Sequence, residues 1–431
     1  MSITYIDGVS FKHSMGQEKL SQALAQVTLS REIARLLRGE LQVAIKGLPS
    51  DQSHCCAKFL WSTDAALASA VRANKELSDR HRASLERCFK ISSMLQMDGP
   101  ITEPVVVRPR PKNGGFRATH NFGIRHRMSQ DMVRGVMDCH LVPRDFQYTF
   151  LGTHKAIADA KQFLKQGLVH FATLDIKEFF GSFKASLLAA ELPLPKEWVD
   201  YVVIGRHMAV VADMNGLKCP TIIPTHTLLH QARQGIPLGS SCASVVAGFC
   251  MSRLHWETSL GVAMLNYSDN FLILASTKKR LEKGIGRLEK AVANLPGGHF
   301  DLKLISAGHA SEGLEFLGHT IKKVGGIIET SPSYANENGF LREVIKLGEK
   351  VIAASHAGNK LKAIKHLQVL CAAIKGWVQA FQECDRIAER EVFLLSHLQD
   401  DAAALGLKIE TIYAGVNADP QYAAASYVSG L

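Results

Sequence analysis

The sequence predicts an α+β protein in which a middle with short strands lies between two helical ends, with boundaries near residues 100 and 335. Apolar residues at helical spacing over residues 17–47 and 340–405 predict the helical ends. Residues 105–120 (VVVRPRPKNGGFRATH) break that spacing, and the turn signal Asn113-Gly114-Gly115 predicts a hairpin. Residues 261–275 are apolar on both sides of a polar centre, which predicts two strands joined by a tight turn.

The remaining elements follow from the same patterns. Residues 168–176 form a short apolar strand with Asp175 near its end, and residues 314–321 and 324–329 form a hairpin around Gly325-Gly326. Helices are predicted at 62–97, 128–139, 154–166, 240–260 and 278–293.

The charge balance favours a polyanionic partner. The formal net charge is +10 and the pI is about 9.1, which favours nucleic acid first and an anionic membrane surface second. With 46% hydrophobic and 21% charged residues, the chain is expected to be globular rather than disordered.

The sequence shows no targeting or metal-finger pattern. No apolar run is long enough for a membrane span, and the N-terminal residues lack the pattern of a signal peptide, so a cytoplasmic protein is expected. None of the nine cysteines forms a CxxC pair, which predicts reduced, mostly buried thiols and no zinc finger.

Four segments in the middle carry residues suited to phosphoryl transfer. They are LDIKEFFGSF (174–183), QGIPLGSS (234–241), NYSDNFLIL (266–274) and EFLGH (315–319). An acid at a strand end, Asp175, and another at a hairpin turn, Asp269, can face each other on one sheet and share two divalent ions. The plainer alternatives are a helix-capping or turn acid for Asp175 and a type I′ turn residue for Asp269.

These segments resemble, in order and spacing, palm motifs A, B and C and the primer-grip motif E of the reverse transcriptases, in particular the bacterial retron, group II intron and phage-defence enzymes. The resemblance covers roughly residues 100–330, and IKGWVQAF (374–381) resembles the thumb of the intron-type enzymes. It implies a right-hand polymerase with a helical N-terminal extension (1–100), fingers and palm (101–335), a helical thumb (336–405) and a C-terminal tail (406–431).

The resemblance also implies a metal centre. Its ligands would be the side chains of Asp175, Asp269 and Asn270 and the main-chain oxygen of Ile176. The ions would be two Mg²⁺, with Mn²⁺ as an alternative. The family usually has a second aspartate where this chain has Asn270, so the centre loses one negative charge. That departure leaves two interpretations open, an active polymerase and a catalytically lapsed relative.

Further residues match positions that contact the incoming nucleotide in the family. Phe180 resembles the aromatic residue that packs under the sugar and excludes a 2′-hydroxyl, which favours deoxynucleotides. The alternative is that Phe179 and Phe180 both belong to the core. Gln234 and Gly235 resemble the segment that supports the nascent base pair, where glycine allows close backbone approach.

Basic residues of the 105–120 hairpin resemble the finger residues that hold the triphosphate. Arg117 and Lys112 flank the turn, and Arg110 is an alternative to Lys112 because the loop length leaves the alignment open. A solvated basic hairpin is the plainer interpretation.

The general acid and the priming group are not assigned by the motifs. Lys303 and His309 are the candidates for protonating the leaving pyrophosphate. The tail contains Tyr413, Tyr422 and Tyr427, and some relatives prime synthesis from a protein hydroxyl, although a docking tail is the plainer interpretation.

The resemblance therefore predicts an RNA-directed DNA polymerase, with an RNA template that could be a dedicated non-coding RNA, a DNA product and deoxynucleoside triphosphates as substrates. No membrane partner is expected. No nuclease pattern follows the thumb segment and no retron-type VTG signature is visible, which points toward the anti-phage defence enzymes. A non-catalytic RNA-binding protein and a template-independent or protein-primed DNA polymerase are the alternatives.

Overall fold

A computed structural model describes residues 2–77, 79, 81–95, 99–112, 115–214, 223–257 and 259–419. Helices and strands alternate through this part of the chain, and the predicted mixed α+β class is confirmed. The strands are β1 Ser2–Ile6, β2 Val9–His13, β3 Val105–Lys112, β4 Gly115–Asn121, β5 His170–Ile176, β6 Val210–Ala212, β7 Val262–Tyr267, β8 Asn270–Ala275, β9 Leu302–His309, β10 Leu314–Phe316, β11 His319–Val324 and β12 Ile327–Pro332.

The helices are α1 Gln17–Ala44, α2 Pro49–Leu60, α3 Thr63–Lys75, α4 Leu85–Ser93, α5 Ile124–His140, α6 Thr153–Lys165, α7 Phe179–Ser182, α8 Ala185–Glu191, α9 Lys196–Trp198, α10 Thr225–Ala232, α11 Ala243–Met251, α12 Lys278–Ala293, α13 Tyr334–His356, α14 Lys360–Ala380, α15 Ile387–Ser396, α16 Gln399–Ala404 and α17 Ile409–Gly415. The longest of them, α1, α13 and α14, lie toward the two ends of the chain. A π-helical turn at Val199–Val203 and a 3₁₀ turn at Gly205–His207 follow α9.

The chain divides into two compact units. The first comprises Met1–Arg144, Lys177–His255 and Ala291–Asp301, and the second comprises Asp145–Ile176, Trp256–Lys290 and Leu302–Leu431. Asp175 and Asp269 therefore belong to the second unit, whereas Phe180, Arg117 and Gly235 belong to the first.

The first unit contains a three-stranded sheet in the order β4-β3-β6. The predicted hairpin is its β3–β4 pair, which is antiparallel, and β6 adds to β3 in parallel. Alternate residues of β3 point into a core that includes Val105, Val107 and Phe122, so the intervening residues of the same strand face outward. An additional hairpin, β1–β2, precedes the helical segment and was not predicted.

The second unit contains a four-stranded antiparallel sheet in the order β7-β8-β5-β9. Helix α6 packs on it through Ile157 and Leu164, which share a core with Phe171 and Leu272. The hairpin β7–β8 has the predicted tight turn, which consists of Ser268 and Asp269. Strand β9 was not predicted, and it forms the edge of the sheet beside β5.

A second core of this unit joins the helices that follow the sheets. Helices α13 and α14 pack together around Phe340 and Trp377, whose rings stack with centroids 4.7 Å apart and planes 4° apart. These two helices carry five exposed lysines, Lys346, Lys350, Lys360, Lys362 and Lys365.

Two predicted helices are shorter than the sequence patterns indicate. Residues 62–97 form two helices, because Ser62 caps the start of α3 by accepting from the Ala65 N–H, and Ser84 caps α4 by accepting from the Arg87 N–H. The helix predicted at 240–260 is only α11.

The eight cysteines in the described part of the chain are free thiols, and most are buried, as predicted. Burial raises the pKa of the Cys56 thiol to about 12, so this group is a packed side chain rather than a nucleophile. Across the described helices, none combines the length and apolar character needed to cross a membrane.

Candidate active site

Four side chains form a row across one end of the sheet in the second unit. Asp175, near the end of β5, pairs with Asn270 of β8 on one side and with Lys303 of β9 on the other, and Asn270 pairs in turn with Tyr267 of β7. Directly paired residues of antiparallel strands project from the same face, with Cβ atoms about 4.5–5.5 Å apart. We call Tyr267, Asn270, Asp175 and Lys303 the Asp175 row.

An irregularity in β9 decides which residue faces Asp175. One extra residue, Ile305, interrupts the pairing of β9 with β5, so that the register shifts by one position before it reaches Asp175. With regular pairing Asp175 would face Leu304, and the bulge brings Lys303 there instead. A β-bulge commonly re-aims a side chain in this way.

Asp269 lies in the two-residue turn between β7 and β8, held beside the end of β5. The Ile176 N–H donates to the Asp269 carbonyl at 3.0 Å. Only the first turn residue, Ser268, has a positive φ, of 57°, so the turn is not of type I′, which requires positive φ at both positions. The hairpin thus presents Asp269 next to the strand that carries Asp175 near its end.

Buried polar groups fix the shape of this turn. The fully buried Asn266 donates through Nδ2 to the carbonyl of Ser268 at 2.9 Å and to that of Asn270 at 3.3 Å. The Ser268 N–H donates to Thr149 Oγ1 at 2.8 Å. Because the main chain is held from inside, the carboxylate of Asp269 is attached to a rigid support.

Asn270, which stands where the resemblance leads one to expect an aspartate, contacts Asp269 directly. Its exposed amide Nδ2 donates to Asp269 Oδ1 at 3.0 Å. A neutral donor at this position orients the neighbouring carboxylate, whereas an aspartate would repel it. Asn270 and Asp175 remain direct cross-strand partners, so the amide is adjacent to both acids.

The residues brought together offer oxygen donors of the kind that Mg²⁺ prefers, namely two carboxylates, an amide oxygen and the main-chain oxygen of Ile176. In the described ranges no group of three or more His, Cys, Asp or Glu side chains converges as a ready-made metal cage. In proteins Mg²⁺ is usually bound by one or two carboxylates and completes its shell with waters and substrate phosphates.

The two candidates for a general acid lie at opposite ends of β9. Lys303 is exposed and faces Asp175, whereas His309 faces His170 at the far end of the pairing, about 20 Å along the strand. The His309 ring contacts that of His170 with centroids 5.2 Å apart, and its Nδ1 is 2.7 Å from Ser311 Oγ. Only Lys303 is therefore placed in the Asp175 row.

In the first unit the segment after Asp175 touches the loop of Gln234 and Gly235. The Ile236 N–H donates to the Phe180 carbonyl at 2.8 Å. Gly235 has φ +56°, and a Cβ there would lie 1.9 Å from that same oxygen, so no other residue fits without displacing the backbone. Gln234 is exposed, with its Nε2 3.0 Å from His230 Nε2.

The two adjacent phenylalanines have different environments. Phe179 is buried, with its ring 5.2 Å from that of Phe183 and 5.6 Å from that of Phe300. Phe180 is only partly buried. Phe179 is thus the core residue of the pair, and the side chain of Phe180 remains accessible to a ligand.

The basic hairpin β3–β4 places two arginines directly opposite each other. Arg110 pairs with Arg117, and both are exposed on the face of the sheet away from the core. Like charges in this arrangement destabilise a sheet unless an anion lies between them. Arg108, on the same face, pairs with Asp213 at 2.8 Å. The side chain of Lys112 and the turn residues Asn113 and Gly114 lie outside the described residues.

The EFLGH segment contains the turn between β10 and β11, in which Leu317 and Gly318 both have positive φ. His319 follows it and is fully buried, with its ring 4.7 Å from that of Phe381 and its Nδ1 2.9 Å from the Leu317 carbonyl. Burial lowers the pKa of His319 to about 4. This histidine is a neutral packing residue of the second unit.

Sequence reasoning did not single out Tyr267 or the strand character of β9. The alternation in LKLISAGH is interrupted by the bulge, which weakens its strand signal. Tyr267 lies within the NYSDN motif, and its place in the Asp175 row follows only from the pairing of β7 with β8.

No protein-family model matches the chain, and no curated protein matches it. Solved structures of telomerase do match. Telomerase from Candida albicans in complex with the TWJ fragment of telomeric RNA shares 9% identity, with a TM-score of 0.38, over 82% of this chain and 59% of that chain.

Two structures of telomerase from Candida tropicalis match in a similar way. The apo enzyme shares 13% identity, with a TM-score of 0.37, over 74% of this chain and 65% of that chain. A form truncated from the C-terminal domain shares 14% identity, with a TM-score of 0.32, over 59% of this chain and 63% of that chain. The chain thus spans about three fifths of the length of the telomerase structures it matches.

Proposed function

We propose that this chain is a metal-dependent polymerase of the reverse-transcriptase type that joins deoxynucleotides on an RNA template. The observation that carries the proposal is the pairing of a strand-end acid, Asp175, with a hairpin that presents Asp269 beside it and places Asn270 directly opposite it. This pairing brings together the two acids that the sequence motifs single out.

Asp175 and Asp269 would hold two Mg²⁺ ions, with the main-chain oxygen of Ile176 and the amide oxygen of Asn270 as further donors. Mn²⁺ is an alternative, since it accepts the same oxygen ligands. When bound, such ions neutralise charge on the attacking and leaving oxygens of a phosphoryl transfer. The hydrogen bond from Asn270 keeps one oxygen of Asp269 oriented.

In the proposed reaction the 3′-oxygen of the growing strand bonds to the α-phosphorus of the nucleotide, and the bond from that phosphorus to the bridging oxygen breaks. The proton of the 3′-hydroxyl passes to solvent, and Lys303 donates a proton to the leaving pyrophosphate. Its place in the Asp175 row supports this role.

Residues of the first unit select and bind the nucleotide. Arg117 and its cross-strand partner Arg110 bind the triphosphate, because an anion relieves their mutual repulsion. Lys112 stays a candidate for the same role. The accessible ring of Phe180 excludes a 2′-hydroxyl, and the tight contact of Gly235 with the Phe180 carbonyl keeps that ring in place.

The proposed partners are an RNA template, its DNA product and deoxynucleoside triphosphates. The exposed lysines of α13 and α14 support contact with a phosphate backbone. A dedicated non-coding RNA as template and a role in anti-phage defence rest on the resemblance alone.

A second candidate function is RNA binding by a catalytically lapsed polymerase, and Asn270 is the observation that favours it.

Protein priming receives no support from Tyr413, whose hydroxyl donates to Glu391 and whose pKa is raised by burial and by that carboxylate. Tyr422 and Tyr427 lie outside the described residues.

Primer extension with purified protein, Mg²⁺ and deoxynucleotides tests the proposal on RNA and DNA templates. The wild type should extend a primer on RNA, and Asp175→Ala and Asp269→Ala should each lower the rate roughly a thousandfold or more. Asp400→Ala, an exposed acid on α16, is the matched control and should retain full activity. Wild-type protein that binds RNA without extending the primer would establish the lapsed alternative.

A further inference from the structure

The first unit contains a groove of about 530 Å³ beside the loop of Gln234 and Gly235. Its walls come from α8 with the residues before it, from the 3₁₀ turn after α9, and from the end of α10. Lys184, Arg206, Arg233 and His299 line it. The volume of the groove falls in the size range of pockets that hold ligands of a few hundred daltons.

The charged groups of this groove all have the same sign. Lys184, Arg206 and Arg233 are exposed, and the lining includes no acidic residue. Over the described part of the chain, none of the three forms an ion pair with a carboxylate. Three cations gathered around a concavity create a positive potential that attracts an anion.

The rest of the lining suits a nucleobase rather than a simple ion. Leu187, which is 38% exposed, contributes apolar surface, and the buried residues Ile204 and Phe183 also line the groove. His299 offers an exposed ring on which a base can stack, and Gln234 offers an amide for its polar edge. Cations combined with apolar and ring surfaces are typical of sites for single-stranded nucleic acid.

The geometry points to a subsite for one or two nucleotides of a single strand, held through its phosphates by Arg206 and Arg233 and through a base by Leu187 and His299. In the polymerase proposed above, on which this assignment rests, the strand is unpaired template. Gln234 and Gly235 border the groove and also contact the Phe180 segment, so an occupant lies against the loop that supports the nucleotide site.

Equilibrium binding tests the subsite without any need for catalysis. Fluorescence anisotropy would follow labelled single-stranded RNA, single-stranded DNA and a blunt duplex across a salt series, for the wild type and for Arg206→Ala/Arg233→Ala. Single-strand affinity should fall on the order of tenfold or more near 0.1 M salt. The slope of log affinity against log salt should flatten by about 1.4, at roughly 0.7 per phosphate contact. Duplex affinity should stay unchanged.

Two further variants make the result specific. Lys19→Ala/Lys46→Ala removes the same charge from exposed positions on and after α1, and should bind single strands as the wild type does. Arg206→Lys/Arg233→Lys keeps the charge and should restore most of the salt slope. Wild-type affinity and slope in the alanine variant, or an equal loss in the α1 control, would overturn the subsite.

The same measurements separate this inference from the proposed polymerase. Asp175→Ala should bind single strands with wild-type affinity, because the groove lies in the other unit. If the wild type fails to extend primers while the arginine variant still loses binding, the subsite stands and the polymerase assignment falls. If the wild type extends primers and the arginine variant binds normally, the polymerase assignment stands and the subsite falls. A preference between RNA and DNA strands identifies which one the groove takes.

Discussion

Lys303 is the direct cross-strand partner of Asp175, on the opposite side of that residue from Asn270. An ammonium group beside the acid can donate a proton to a leaving group bound there. Lys303→Ala should therefore lower kcat about a hundredfold with little change in KM. Lys303→Arg should keep the charge but transfer protons poorly.

A purely structural Lys303 would change stability and leave kcat of the folded variant unchanged. Primer-extension rates and thermal melts of Lys303→Ala and Lys303→Arg distinguish the two roles. Wild-type kcat in Lys303→Ala would show that the proton comes from elsewhere.

Asn270→Asp should keep or raise activity at low Mg²⁺, because it restores a negative charge beside Asp175 and Asp269. Without metal the same variant should be less stable than the wild type, since it replaces a donated hydrogen bond by like-charge repulsion. Mg²⁺ should reverse that loss, which a thermal melt with and without the ion would record.

Asn270→Ala is the matched control, because it removes the hydrogen bond without adding charge. It should reduce activity at every Mg²⁺ concentration. Lower activity of Asn270→Asp across the whole titration would mean that the amide itself is required.

Phe180→Ala should admit ribonucleotides, because the partly buried ring would no longer block a 2′-hydroxyl. Discrimination between matched deoxy and ribo substrates, measured as a ratio of kcat/KM, should fall about tenfold or more. Phe180→Tyr keeps the ring and should retain discrimination. An unchanged ratio in the alanine variant would place the selective contact elsewhere.

Gly235→Ala should destabilise the protein by several kcal/mol, because the added Cβ meets the Phe180 carbonyl and the backbone has a positive φ. Gly286→Ala, inside α12 and with open space around its Cβ position, is the matched control and should be neutral or slightly stabilising. Melting temperatures of the two variants measure the difference. Equal Tm values would show that the loop moves aside without cost.

Local patterns in the sequence were sufficient for the elements that carry the two acids. An apolar run ending near Asp175 is a strand, and a polar pair between two apolar runs is the hairpin turn that contains Asp269. The alternation and turn signals are properties of neighbouring residues, so they need no knowledge of the rest of the fold. Gly235 was identified in a different way, through the resemblance of the QGIPLGSS segment to palm motif B.

The neighbours of each strand were decided only by the tertiary structure. The order β7-β8-β5-β9 joins segments distant in sequence, and the bulge at Ile305 selects Lys303 rather than Leu304 as the partner of Asp175. Periodicity defines the face on which a side chain lies but does not define its cross-strand partner, since register depends on hydrogen bonds made after the chain has folded. For this reason the sequence left Lys303 and His309 as equal candidates, and the pairing of β9 with β5 separated them.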